Sequence, residues 1–187
     1  MIKKWKKIKT EDVYRCGKHY FITKDLVITP GGKNGVYYVI RKSEKIVIII
    51  PIDKDGNIHM TLQHRYPTNV FSLEFPSGSC DKKEGSLAAA KRELLEEVEL
   101  ASNDWQKIYT FDEANGISDL QDIVYIARSV YPKKNTKKDP LDENLHKTKK
   151  YTYMQLKRLI AKGGIVDSLT LSAFAIIEAK GVFNKLK

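Results

Sequence analysis

The run Lys45 to Pro51 (KIVIIIP) constrains the fold most, because an unbroken series of β-branched apolar side chains makes both faces of an extended strand hydrophobic. Both faces must then be covered, so this strand belongs inside a sheet that lies between helices. An Asp55-Gly56 turn signal and a strand over Ile58–Gln63 follow it. Further strands are expected over Ile108–Phe111 and Asp122–Arg128. Helices are expected over Tyr153–Ala161 and Ser168–Ala179, the latter with apolar spacing at Leu169, Ala173, Ile176 and Ile177. Upstream, segments around Tyr20–Thr29 and Val36–Arg41 flank Pro30-Gly31-Gly32, which predicts an antiparallel hairpin ahead of the main fold. Tyr131–Leu145 is charged, contains Pro132 and Pro140, and reads as a long mobile loop. The chain is therefore read as α/β, with a β-rich N-terminal region over 1–44 and an α/β/α sandwich with a mixed sheet over 45–187. A length of 187 residues suits one compact domain and leaves no room for a second full one.

The stretch Gly78–Leu100 (GSCDKKEGSLAAAKRELLEEVEL) places four glutamates on the last two turns of a short helix. Glu93, Glu96 and Glu97 share a face, and Glu93 with Glu97 is a like-charge pair costing a few tenths of a kcal/mol, roughly 0.2–0.5. The C-terminal end of a helix disfavours carboxylates by about 0.3–1 kcal/mol each. Leu100 and Ala101, not lysine or arginine, stand one turn beyond Glu96 and Glu97, so nothing in the helix is expected to relieve them. A bound cation accounts for the pattern. Hard carboxylate oxygens suit Mg2+, with Mn2+ as the alternative, and give no reason to choose zinc.

The same residues carry a resemblance. Gly78, Glu84, Arg92, Glu93, Leu94, Glu96, Glu97 and Leu100 fall on the Nudix box, G-x5-E-x7-R-E-U-x-E-E-x-G-U with U aliphatic. One fixed position departs, since Glu99 stands where the box has glycine, the residue that ends a helix without left-handed strain. Across nearly its whole length the chain resembles the ADP-ribose and nucleoside-diphosphate-sugar pyrophosphatases of the Nudix superfamily. The matching phrases are GVYYVI (35–40), QHRYP (63–67), LEFPSG (73–78), ANGISDLQDIVYIA (114–127) and GIVDSLTL (164–171). Asn115 and Leu120 depart from ADP-ribose members, which often carry proline and an acidic residue there.

The resemblance implies a Nudix hydrolase domain over 45–187 that splits a nucleoside diphosphate sugar into a nucleoside monophosphate and a sugar phosphate by metal-activated water, with ADP-ribose the leading substrate. It implies Glu93, Glu96 and Glu97 as metal ligands, the Ser77 carbonyl as a further oxygen, and Glu84 as a completing ligand. Arg92 is expected to orient the glutamates through its planar fork. Glu143, on the long loop past the box, is the preferred general base; Asp142 beside it and Asp119 are the other candidates. Arg65 and Glu74 are assigned to substrate binding, against the alternative of a plain Arg65–Glu74 salt bridge. The N-terminal strands are expected to help form a homodimer.

Other features narrow the alternatives. A net charge of +10 keeps RNA as a partner, and removal of pyrophosphate or a cap from RNA is the competing enzymatic reading. The basic residues sit in Lys3–Lys9 and Lys133–Lys150 with little aromatic interleaving, so they read as solubilising segments. A non-catalytic ligand sensor is the third reading; such proteins usually lose box carboxylates, and all are present here. No apolar run is long enough to span a bilayer, and no signal sequence or metal-ligand cysteine spacing is evident, which points to the cytoplasm. His64 and His146 read as incidental, and Trp105 and Tyr109 as core residues rather than base-stacking ones.

Overall fold

The computed structural model describes residues 1–17, 20–81, 83–135 and 146–185. Their backbone divides into two compact units, Met1–Lys45 with Phe111–Asp122, and Ile46–Thr110 with Ile123–Lys187.

The first unit is built on three antiparallel strands in the order β1 (Lys6–Cys16), β2 (Tyr20–Ile28), β3 (Asn34–Lys42). The predicted hairpin is β2–β3, and its turn closes through the amide of Gly32 at φ +81°, donating to the Thr29 carbonyl at 2.9 Å. The Lys-rich N-terminus, expected to be a solubilising tail, is a strand from Lys6 onward. Its backbone pairs with β2 through two bulges, while nearly every side chain stays exposed. The second segment of this unit docks on β3. The Ile40 amide donates to the Ile117 carbonyl at 2.8 Å, Tyr37 donates its hydroxyl to the Gly116 carbonyl, and Arg41 donates to Asp119 at 2.6 Å and Asp25 at 2.7 Å.

The second unit is the expected α/β fold with a central mixed sheet. Its strands are β4 (Ile46–Asp53), β5 (Ile58–Arg65), β6 (Val70–Glu74), β7 (Ser77–Ser79), β8 (Leu100–Ala101), β9 (Asp104–Asp112), β10 (Gln121–Pro132) and β11 (His146–Tyr151); the last two residues of β9 and the first two of β10 are counted with the first unit. The sheet path is β11-β5-β4-β10-β8, with β6 on β5, β7 on β4 and β9 on β10. The apolar run became β4, buried from Val47 to Ile52. Two expected strands are longer than foreseen, and β11 (HKTKKY) was not foreseen, because its lysines occupy an edge strand where charge is tolerated.

Three helices complete the unit: α1 (Ser86–Val98), α2 (Tyr153–Ala161) and α3 (Ser168–Ala179). Helix α1 buries Ala89, Ala90, Leu94 and Val98 against Val47 and Ile49 of β4 and Ile123 and Tyr125 of β10. That packing fixes which way its glutamates point. Thr152 and Gln155 form a reciprocal capping box at the start of α2, and Asp167 caps α3 by accepting from the Thr170 amide at 2.7 Å. Glu99 does end α1 where the box has glycine. It adopts φ +52°, ψ +44°, and its amide reaches back to the Leu94 and Leu95 carbonyls.

Candidate active site

The acidic face of α1 lies against β7, whose residues pair antiparallel with β4: Ser79 with Ile46, Gly78 with Val47, Ser77 with Ile48. Residue 78 lies against the end of the Glu93 side chain, which would have to shift for any larger residue there. A Cβ there would lie 2.0 Å from Oε1 of Glu93 and 2.1 Å from its Cδ, far inside contact distance. One residue along, the Ser77 amide donates to Glu97 at 3.2 Å.

Arg92 stands among the carboxylates. Nη1 donates to Glu93 at 2.8 Å and to Glu96 at 2.9 Å, while Nη2 donates to Glu84 at 3.0 Å and to the Ser79 carbonyl at 2.9 Å. The expectation that nothing in the helix relieves its glutamates is therefore corrected. Arg92 does so from the preceding turn, and those same contacts fix its own side chain. The surrounding charge raises the arginine's already high pKa further, although its partial burial opposes this.

Two glutamates stay under-compensated. Burial pushes the Glu93 carboxyl up to about 7, against the pull of Arg92. Burial, then the neighbouring Glu93 charge, pushes Glu97 up to about 8. Added positive charge would favour ionisation of both groups at neutral pH, and every donor atom offered is a hard oxygen, so the residues fit a divalent cation. Among the described residues no three acidic, histidine or cysteine side chains already converge as a metal cage. Arg92 supplies the positive charge there instead.

The β5–β6 hairpin carries the neighbouring polar network. Glu74 is 1% exposed and accepts from Arg65 Nε at 2.9 Å, from Arg65 Nη2, and from Gln63 Nε2 at 3.1 Å. The salt bridge between Arg65 and Glu74 thus exists, and it leaves part of the guanidinium free of protein, since the Arg65 side chain is 45% exposed. Its pKa is raised, first by the Glu74 hydrogen bond and further by the charges of Glu74, Asp167 and Glu97, against the opposing effect of partial burial. Arg65, Thr68, Glu74, Val166, Asp167 and Ser168 line one open pocket of about 480 Å³. Asp167 and Ser168 were missed as site residues. The phrase GIVDSLTL marks a helix start, but nothing in it shows that this start faces the β5–β6 hairpin.

Of the three general-base candidates, Glu143 and Asp142 lie outside the described residues. Asp119 is held by Arg41 in the N-terminal unit. Trp105 packs partly buried against the core and donates to the Ser102 carbonyl at 2.9 Å, as expected of a core residue. Tyr109 does not: it is 48% exposed, with the Lys180 ammonium 5.6 Å from its ring centroid.

Comparison with known proteins places this geometry. Residues 42–169 match the NUDIX domain family. An ADP-ribose pyrophosphatase from Mycobacterium tuberculosis (strain ATCC 25618 / H37Rv) is 27% identical over 172 residues, 91% of this chain and 82% of that protein. A CMP-5'-(N-acetyl-N-hydroxy-3-aminopropyl)phosphonate hydrolase from Streptomyces rubellomurinus (strain ATCC 31215) is 26% identical over 98 residues, 52% of this chain and 47% of that protein. The crystal structure of an ADP compounds hydrolase superposes with a TM-score of 0.83 at 20% identity, covering 96% of this chain and 95% of that one. That last likeness concerns the fold.

Proposed function

This chain belongs to the Nudix family, and on that premise we propose that it hydrolyses the diphosphate of a nucleoside diphosphate sugar, with ADP-ribose the leading substrate. The observation that carries the reading is the gathering of Glu84, Glu93 and Glu96 on the Arg92 fork, with Glu97 accepting from the Ser77 amide beside them. The relative that spans most of the chain is an ADP-ribose pyrophosphatase, which supports ADP-ribose among the sugar nucleotides.

Mg2+, with Mn2+ as the alternative, would be held by Glu93, Glu96 and Glu97 with the Ser77 carbonyl and Glu84, and would supply charge neutralisation at the phosphates and acidify water. Arg92 holds Glu84, Glu93 and Glu96 in one register through its fork. Arg65 presents its exposed edge to a phosphate oxygen while buried Glu74 fixes the guanidinium plane. Glu143 takes the proton of the attacking water, with Asp142 beside it and Asp119 the second candidate. Glu143→Gln is expected to lower turnover about 100-fold or more, and an unchanged rate excludes it.

In the same reading the protein is a cytoplasmic homodimer. Cys16 and Cys80 are not joined in a disulfide, and the N-terminal sheet leaves Ile8, Tyr14, Val36 and Tyr38 about half exposed or more, from 48% to 60%. Among the described residues, no helix is long and apolar enough to cross a membrane.

The test is product release from ADP-ribose, ADP-glucose, GDP-mannose, UDP-glucose and 5'-triphosphorylated RNA with Mg2+, alongside Glu97→Gln. Cleavage of a sugar nucleotide that the variant abolishes supports the assignment. Turnover of the RNA alone replaces it with the RNA pyrophosphohydrolase reading, and binding without turnover replaces it with the sensor.

A further inference from the structure

The β5–β6 hairpin has two faces. Cross-strand pairing puts Gln63 opposite Ser72 and Arg65 opposite Val70 on the face that carries Glu74. The alternate positions, Leu62 with Leu73 and His64 with Phe71, point the other way. That second face is absent from the chemistry above, and it has unusual exposure: Phe71 is 76% and Tyr66 88% exposed, and the His64 ring lies 5.4 Å from Phe71. Leu62, His64, Tyr66, Phe71 and Lys147 line an open pocket of about 490 Å³.

Lys147 opens a basic path. It pairs with Leu62 across β11–β5, and Lys149 and Tyr151 follow on the same face, while Thr148 and Lys150 alternate to the face that carries Glu74. At the far end of β11 a second pocket of about 320 Å³ is lined by Lys150, Tyr151, Arg158 and Lys162. Only Thr148 and Lys149 lie between the linings of the two pockets, and Lys147 to Lys150 is a step of about 10 Å along the strand. Of the acidic groups near this path, Asp53 accepts from Lys150 at 2.8 Å and from His59 at 3.1 Å, Glu178 accepts from Lys157 at 3.1 Å, and Asp55 adds its charge beside Lys150. The aromatics and lysines lie far apart in sequence, so the linear pattern shows basic segments without stacking rings. Folding interleaves them.

We propose that the His64–Phe71–Tyr66 face and the lysines of β11 form a binding surface for single-stranded nucleic acid, separate from the Glu93–Glu97 centre. Bases stack on Phe71 and Tyr66, and phosphates follow Lys147 and Lys149 toward Arg158 and Lys162. The combination of a cationic track with stacking rings suits a single strand whatever its sequence, and a net charge of +10 strengthens the attraction at low salt.

Fluorescence anisotropy of a labelled eight-nucleotide RNA tests this without reference to turnover. Binding to the full-length protein is expected to weaken roughly 5- to 100-fold in Phe71→Ala and in Tyr66→Ala. The triple change Lys147→Ala, Arg158→Ala, Lys162→Ala is expected to lower the log–log salt slope by about 2. Thermal melts and sugar-nucleotide hydrolysis should stay near wild type in all of these variants, since none of the altered residues is assigned to the reaction. Equal RNA affinity in wild type and Phe71→Ala overturns the proposal, as does a salt slope unchanged by the triple variant. Full displacement of the RNA by AMP at concentrations near the RNA's own Kd also overturns it, since the surface would then be a mononucleotide site.

Discussion

Gly78→Ala is a small change with a calculable effect. The new methyl would sit 2.0 Å from Glu93 Oε1 and 2.5 Å from Oε2, and β7 cannot yield because Gly78 is paired with Val47 in the sheet. The carboxylate must therefore retreat by about 1.4 Å or more to reach ordinary contact at 3.4–4 Å, breaking its 2.8 Å bond to Arg92. Magnesium binds oxygen at about 2.0–2.1 Å, and metal sites tolerate only about 0.2 Å of error. Misplacement of a catalytic group by about 1 Å costs on the order of 100-fold in rate. The variant should thus lose about two orders of magnitude in turnover at fixed Mg2+, with saturation moved to higher metal concentration. Overpacking should lower stability by only about 1–3 kcal/mol, leaving the protein folded. The assay is hydrolysis of ADP-ribose, or of whichever sugar nucleotide is turned over, across an Mg2+ titration, with a thermal melt of each protein. Gly116→Ala is the control, since an added Cβ there meets nothing within 4 Å. An Mg2+ titration of Gly78→Ala that overlays wild type would refute the claim that Glu93 must lie against residue 78.

Three further outcomes are expected. Because the folded-state pKa values of Glu93 and Glu97 lie near 7 and 8, above the ordinary 4.5, the metal-free folded protein binds more protons than the unfolded chain between those limits. Their contribution is present below about pH 4.5 and lost as pH rises through 8, so the Tm in EDTA should fall across that range, less steeply in Glu97→Gln, and Mg2+ should restore more at the alkaline end. Glu99→Gly should stabilise the protein by about 1 kcal/mol in urea unfolding, since it removes the left-handed strain at the end of α1; a destabilised variant would show that the glutamate side chain outweighs the strain. Arg92→Lys should reduce metal affinity and turnover about 10- to 100-fold, because an ammonium cannot span Glu84, Glu93, Glu96 and the Ser79 carbonyl together; full retention of both counts against an orienting role.

How much could be read beforehand follows the range of each interaction. Helices α2 and α3 were legible end to end because their apolar period and their caps, Thr152 and Asp167, lie within a few residues of one another. The box carboxylates were legible for the same reason, since one helix fixes their spacing. Strands β1 and β11 were not, because their side chains are mostly charged and exposed, and the hydrogen bonds that hold them come from partners chosen by topology. The pocket around Arg65 was half legible. QHRYP drew attention to the arginine, while Asp167 and Ser168 reach it only after α3 has packed.

The N-terminal unit is made of two pieces of chain, 1–45 and 111–122, and this orders events during synthesis. The strands β1 to β3 can leave the ribosome and pair early. The partner of Arg41, Asp119, comes 78 residues later, and the carbonyl that accepts from Tyr37 comes 79 residues later. At about 5–20 residues per second the nascent sheet waits roughly 4–16 s for its last segment, with Arg41 and Asp25 already made and Asp119 still to come. During that interval Ile8, Val36 and Tyr38 stand exposed on the nascent sheet, as they still do in the finished unit.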